Sequence, residues 1–264
     1  MIKSPSAHIQ RLIVIKTQAA PQNKSLIKNT EEEKMGKVIV VTSGKGGVGK
    51  TTATANIGSA LAAQGHSVLL LDADIGLRNL DLLLGLENRI VFDIVDVLEG
   101  RCRLKQAVVK DKRNEKLCLL PASQTREKNA VNEEQMKELL LELKAAYDYV
   151  MIDCPAGIEQ GFKNAIAGAD EAIVVCTPEV ASIRDADKVI GLLGVSDVLK
   201  TSLVVNRMKE DMVKRGDMLG VEAVSYTHLD VYKRQLPRRA KARSRRRARD
   251  KAGYVFRARK NDLS

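Results

Sequence analysis

Residues 37–52 read Lys37-Val38-Ile39-Val40-Val41-Thr42-Ser43-Gly44-Lys45-Gly46-Gly47-Val48-Gly49-Lys50-Thr51-Thr52, and this stretch decides the fold. Its first six residues (KVIVVT) are a short, largely apolar, β-branched run without alternation, which suits a strand buried on both faces. From Gly44 to Thr51 the chain fits the pattern GxxxxGK[ST] in full. Beyond it, Ala53, Ile57, Ala60 and Leu61 recur at helical spacing and Gly65 supplies a stop, so a helix is expected over 50–64. A strand, a glycine-rich loop and a helix in that order make a phosphate cradle. The glycines let the backbone curl so that successive N–H groups face inward, and the helix start adds its positive end. A chance glycine-rich turn is the bland alternative, and the strand–loop–helix context counts against it.

The same grammar continues outward. Further short apolar runs lie at 67–71 (SVLLL), 117–120, 149–152, 172–176 and 203–205. Helical patterns separate most of them, notably 132–146 and 182–193. Repeated β-α-β units predict an α/β fold of the P-loop NTPase type. Its doubly wound, mostly parallel sheet carries helices on both faces and right-handed crossovers. Ligands in such sheets bind at the carboxyl ends of the strands.

Composition narrows the function classes. No run of 18 uncharged apolar residues occurs among the 264 residues, so no membrane-spanning helix is expected. The first twenty residues lack a signal-peptide pattern, so secretion is not expected. Cys102, Cys118, Cys154 and Cys176 are widely spaced without a CxxC pair, which points to reduced, unliganded thiols. The net charge of +11 suggests nucleic acid until it is located. Residues 225–264 hold 14 Lys+Arg against 3 Asp+Glu, and the rest of the chain holds 30 of each sign. The basic character belongs to the tail, and nucleic acid is not expected as a partner of the folded part.

Within the cradle, the pattern places Lys50 to bridge the β- and γ-phosphates of a nucleotide and the Thr51 hydroxyl on Mg²⁺. Gly44, Gly46, Gly47, Val48, Gly49 and Thr52 complete the binding loop. Two other strand ends supply carboxylates. Leu71-Asp72-Ala73-Asp74 puts two aspartates at alternate positions, on one side if the strand continues. Ile152-Asp153 ends another strand and leads into Cys154-Pro155-Ala156-Gly157, a loop suited to rearrangement. Asp153 is the natural metal partner, through water, because Mg²⁺ tends to keep part of its hydration shell. Each aspartate alone would read as a strand-end cap; beside a P-loop, the metal-site reading is preferred.

Lys45 is the more telling residue, because a lysine after the first glycine is not needed for the nest. The form KGGVGKT resembles the deviant P-loop ATPases, which include MinD, ParA-type partition proteins and the nitrogenase iron protein. The strings Gly76-Leu77-Arg78-Asn79-Leu80-Asp81, Pro121-Ala122-Ser123-Gln124-Thr125-Arg126 and Arg215-Gly216-Asp217-Met218-Leu219 resemble the MinD family in particular. So does Pro178-Glu179-Val180 with Arg184-Asp185-Ala186-Asp187. The resemblance covers residues 35–224. It implies an ATPase that forms a homodimer with ATP and Mg²⁺, in which Lys45 reaches the partner's phosphates. It also implies that Asp72 helps hold the metal, Asp74 orients the attacking water, and Asn206 contacts the adenine edge, where a loop asparagine that only caps backbone is the alternative. The implied partners are MinC and MinE, met near Asp185 and Asp187, where a solvated charged face is an equal alternative. The implied role is control of septum placement by recruiting MinC to the membrane, with release on MinE-stimulated hydrolysis. A ParA-like partition ATPase binding nonspecific DNA is the alternative.

The flanks depart from this pattern. Residues 1–34 carry no sustained period, and Glu31-Glu32-Glu33-Lys34 before Met35 suggests that a native start lies at Met35, with 1–34 a non-native or disordered extension. Residues 225–235 resemble a translated sequencing adapter, and the Arg/Ala-rich remainder is expected to be extended. The fold is thus expected to be C-terminally incomplete. MinD proteins bind the inner face of the cell membrane reversibly through a C-terminal amphipathic helix. This chain is expected to lack that helix and regulated membrane attachment, and to fold poorly.

Overall fold

The computed structural model describes residues 13–17, 35–126, 130–220 and 224. The chain divides into units 1–221 and 222–264, and the second contributes only Val224 to the described residues. The expectations for 225–264 therefore lie outside the described residues, as does most of 1–34.

The first unit is built on an eight-stranded sheet in the order β1-β8-β7-β2-β6-β3-β5-β4. The strands are β1 (Ile13–Thr17), β2 (Lys37–Thr42), β3 (Val68–Asp72), β4 (Val109–Lys110), β5 (Leu117–Leu120), β6 (Tyr149–Asp153), β7 (Glu171–Cys176) and β8 (Lys200–Val205). Six are parallel, and β1 and β4 pair antiparallel at the two edges. The predicted doubly wound parallel sheet is present. The strands within it are those expected from the apolar runs, because each run is buried along nearly its whole length. Alternate residues serve the two faces. Ile39, Val41, Val68, Leu70, Leu119 and Met151 join Ala53, Ala55 and Ala62 of α1 (Lys50–Ala63) in one core cluster. The intervening Val38, Val40, Leu69, Leu71, Val150 and Ile152 are buried as well. On the helical side, α5 (Glu133–Ala146) and α6 (Gln160–Ile166) both pack on β2, and α7 (Val180–Leu193) packs on β7.

Alanine and glycine let α1 lie close to the sheet, since a Cβ on Gly58 would collide with the Leu70 side chain. The remaining helices are α2 (Leu80–Leu84), α3 (Ile94–Leu98), α4 (Leu104–Ala107) and α8 (Glu210–Arg215), with one 3₁₀ turn at Glu87–Arg89.

Two strands were not expected. β4 has two residues, too few for a pattern. β1 lies within residues 1–34, where no sustained period singled out an element. Its Ile13-Val14-Ile15 core is β-branched but too short to show a period. It pairs Ile13–Thr17 with Val205–Thr201, occupying hydrogen-bonding groups that would otherwise form an open sheet edge.

Gly36, at the entry to β2, sits where a Cβ would overlap the Tyr147 carbonyl oxygen, and its N–H donates to the Lys144 carbonyl at 2.8 Å. The clash is backbone against backbone, so no rotamer relieves it. Gly36→Ala is expected to cost about 1–3 kcal/mol of unfolding free energy in urea titration. An unchanged midpoint would show that the α5–β6 corner yields.

Candidate functional site

The carboxyl ends of β2, β3 and β6 meet at one rim, because β6 lies between β2 and β3. The glycine-rich loop leaves β2 there and enters α1 through Gly49, whose φ of 101° is left-handed and favours glycine. No side chain caps α1 and its first turn holds no acidic residue. By contrast, Asp93 caps α3 and Asn132 with Gln135 forms a capping box on α5. An uncapped helix start leaves up to four N–H groups without intrahelical partners, and these together with the helix dipole suit an anion.

The predicted loop residues lie together between β2 and α1. Ser43 Oγ donates to the Lys45 carbonyl at 2.7 Å, tying the loop's first turn. Lys50 is buried at the start of α1, Thr51 is half-buried, and Lys45 and Thr52 are exposed. Gly44 lies against α7, where a Cβ would overlap the Asp185 backbone.

The two strand-end aspartates Asp72 and Asp153 are direct neighbours, paired in register between β3 and β6, and both are buried. Asp72 accepts from the N–H groups of Asp74 (3.1 Å), Leu80 (3.2 Å) and Asn79 (3.3 Å), which links its carboxylate to the loop before α2. Burial first, and the Asp153 charge second, push the Asp72 carboxyl up to about 7 against those three N–H groups. Burial pushes Asp153 up to about 6, with the Thr51 hydroxyl and the Lys50 ammonium opposing. Asp74 adds to the negative field on Asp153.

Two desolvated carboxylates side by side, with a hydroxyl and an ammonium next to them, form a site short of positive charge. Asp153 Oδ1 is buried without a hydrogen-bond partner. A hard divalent cation with oxygen ligands fits this donor set. The loop after β6 is bound into the same structure: Cys154 N–H donates to the Val41 carbonyl at 3.0 Å and Gly157 N–H to the Ser43 carbonyl at 3.3 Å. Beneath it, a cavity of about 20 Å³ is lined by residues that include Asp74, Ile75, Pro155 and Asn164.

Asn206 does reach the loop, at the end of β8, but its amide is engaged with backbone. Nδ2 donates to the Val48 carbonyl at 2.9 Å, and Oδ1 accepts from the Arg207 N–H at 2.8 Å. Arg207, which the sequence reading did not single out, donates from its guanidinium to the Gly47 carbonyl at 2.8 Å. No local signal marks it, because the contact spans 160 residues. All four cysteines are free, and Cys118, Cys154 and Cys176 are buried.

A family model described as an AAA domain matches residues 36–205. The septum site-determining protein MinD of Synechocystis sp. is 60% identical over 190 residues, which cover 72% of this chain and 71% of that protein. The chain belongs to the MinD family. Solved MinD structures agree. In the MinC:MinD cell division protein complex of Aquifex aeolicus, the similar chain is 57% identical with a TM-score of 0.66, covering 71% of this chain and 75% of that one. MinD of Pyrococcus horikoshii, solved with Mg-ADP, is 31% identical with a TM-score of 0.62, covering 72% and 76%. MinD membership makes this a P-loop ATPase-family chain, with the phosphate loop inside the matched region.

The carboxyl pair makes stability depend on pH. Asp72 and Asp153 hold their protons to higher pH in the folded chain than in the unfolded one. The folded state therefore binds more protons between about pH 4 and pH 7, and the pair's contribution is complete at the acid end and lost as pH rises through about 7. Asp72→Asn is expected to flatten the fall of the urea midpoint across that window in nucleotide-free protein. Parallel pH profiles for the two proteins would contradict the burial argument.

Proposed function

We propose that this chain is a Mg-ATP-dependent, dimerising ATPase of the Min system that takes part in septum placement. In this reading it recruits the inhibitor MinC to the membrane and is released by MinE-stimulated ATP hydrolysis. The observation that carries the reading is Lys45. It is exposed on a loop whose own phosphate lysine, Lys50, is already buried at the start of α1. A second loop cation pointing to solvent suits a charge delivered to a neighbouring subunit's phosphates, where it would stabilise the transition state in the manner of an arginine finger.

Thr51, Asp72 and Asp153 would hold Mg²⁺, which when bound would bridge phosphate oxygens and neutralise the charge that develops on them. The α1 start and residues 44–52 would bind the phosphates, and Asp74 would orient the attacking water. The P. horikoshii MinD with Mg-ADP supports the cofactor assignment, and the A. aeolicus MinC:MinD complex supports MinC as partner. Asp185 of α7 stands next to the loop through Gly44, and Asp187 follows it on the same helix, which supports a partner surface coupled to the nucleotide. Attachment is proposed to be peripheral and reversible, through a C-terminal amphipathic helix in the parent protein. Among the described residues no helix is long and apolar enough to cross a membrane. The partition alternative has weaker support, because residues 1–224 hold balanced charge and a DNA-binding face needs an excess of cations.

The test uses sedimentation velocity and phosphate release on the purified chain. Lys50→Ala is expected to abolish nucleotide binding. Lys45→Ala is expected to retain it while losing the ATP-dependent dimer and partner-stimulated hydrolysis by at least about tenfold, the loss when a trans charge worth about 1.4 kcal/mol is removed. A chain that stays monomeric with Mg-ATP, or a Lys45→Ala variant that is stimulated normally, would remove the basis of the proposal.

A further inference from the structure

Helix α6 meets the loop after β6 with a residue that has no side chain. A Cβ built on Gly161 would lie 2.7 Å from Pro155 Cγ, well inside the spacing at which carbon atoms pack. The pyrrolidine ring is closed onto its own backbone, so it cannot swing aside without moving the loop that contains it. Glycine is otherwise a poor residue for a helix, by up to about 1 kcal/mol against alanine. What the missing Cβ gives in return is a close seat for the ring.

The seat is firm and the space beside it is open. Asn164 of α6 is buried, with Nδ2 donating to the Val131 carbonyl at 2.6 Å and Oδ1 accepting from Gln160 Nε2 at 2.9 Å. Phe162 and Ala165 of the same helix are buried as well. The loop resting on it begins at Asp153 and is bonded to β2 and the phosphate loop through the Cys154 and Gly157 N–H groups. The cavity of about 20 Å³ has Pro155 and Gly161 in its lining, together with Ala73, Asp74 and Ile75 of the loop after β3. It is about large enough for one water molecule. The ring is therefore held where it touches Gly161 and unsupported towards the cavity, so a ring pushed off its seat has room to move.

We propose that Gly161 is a positioning residue for hydrolysis: its bare Cα seats Pro155, and that seat sets where Asp153 and the Gly157 N–H stand at the phosphate site. The proposal rests on the reading of this chain as an ATPase. Gly161 touches no phosphate-loop residue within Cβ reach, so its effect runs through Pro155.

The experiment compares the full-length wild type with Gly161→Ala, Pro155→Ala and the double variant. It reads kcat for ATP, affinity for ADP without magnesium, the urea midpoint, and hydrogen exchange of residues 154–158. Gly161→Ala is expected to lower kcat by about ten- to a hundredfold, as for a reacting group displaced by about 1 Å. Its ADP affinity is expected to stay within about twofold, with faster exchange at 154–158. Adding Pro155→Ala removes the ring that the new methyl group strikes, and is expected to restore most of the lost rate and protection. A Gly161→Ala variant with wild-type kcat and a raised midpoint would show a replaceable helix glycine and overturn the proposal. So would a double variant as slow as Gly161→Ala, or a fall in midpoint and ADP affinity that matches the fall in kcat. A wild-type chain that hydrolysed no ATP would overturn the ATPase reading instead. The exchange data would then decide the seat: protection lost in Gly161→Ala and regained in the double variant upholds it, and unchanged protection overturns it.

Discussion

The N-terminus of α1 is left without a cap, and the rest of the site is organised around it. Asp93 on α3 and Asn132 on α5 satisfy leading N–H groups with a side chain, whereas α1 shares its uncapped start with α2, α6, α7 and α8 and differs from them in the glycine-rich loop that curls in front of it. At Gly49 the chain forgoes that bond, and the loop before it is held by its carbonyls from β8 and by its first turn through Ser43. The unsatisfied donors are thus pre-arranged for a ligand instead of being absorbed by the protein. The small residues along α1 serve the same end, because close packing on Leu70 fixes where the helix begins relative to β2.

Negative charge is arranged with the same tension. Asp72 and Asp153 are buried as cross-strand neighbours, and each strains against desolvation. Lys50 and Thr51 relieve Asp153 in part, while Asp72 draws on the N–H groups that precede α2. A parallel sheet makes this possible, since strands that run the same way bring their carboxyl ends to one rim. Anything that neutralises the rim acts on both loops at once: the one before α2 through Asp72, and the one after β6 through Asp153 and the Gly157 N–H.

Much of this was legible in the sequence, for physical reasons. Strands buried on both faces must be apolar throughout, so KVIVVT, SVLLL and LCLL announced themselves. The phosphate loop was legible because its glycines and lysine answer to local backbone geometry and helix position, both of which are encoded within eight residues. Asp72 and Asp153 could be placed at strand ends, but their adjacency depends on β6 lying between β2 and β3, which no local pattern reveals. Arg207 was invisible for the same reason, and the Asn206 amide could be assigned its bonds only once β8 was seen to end beside Val48. Strand β1 was missed because a five-residue run offers too little period to separate it from an irregular arm.

The position of β8 carries a consequence for how the molecule can fail. This strand lies second from the outside of the sheet, bounded by β7 and by the short β1, yet its last residues latch the central loop. Periphery and centre are therefore mechanically one piece. Peeling β8 away would release the Gly47 and Val48 carbonyls and draw Val204 out of the core it shares with Val41 and Met151, so the phosphate loop and the hydrophobic interior would loosen together.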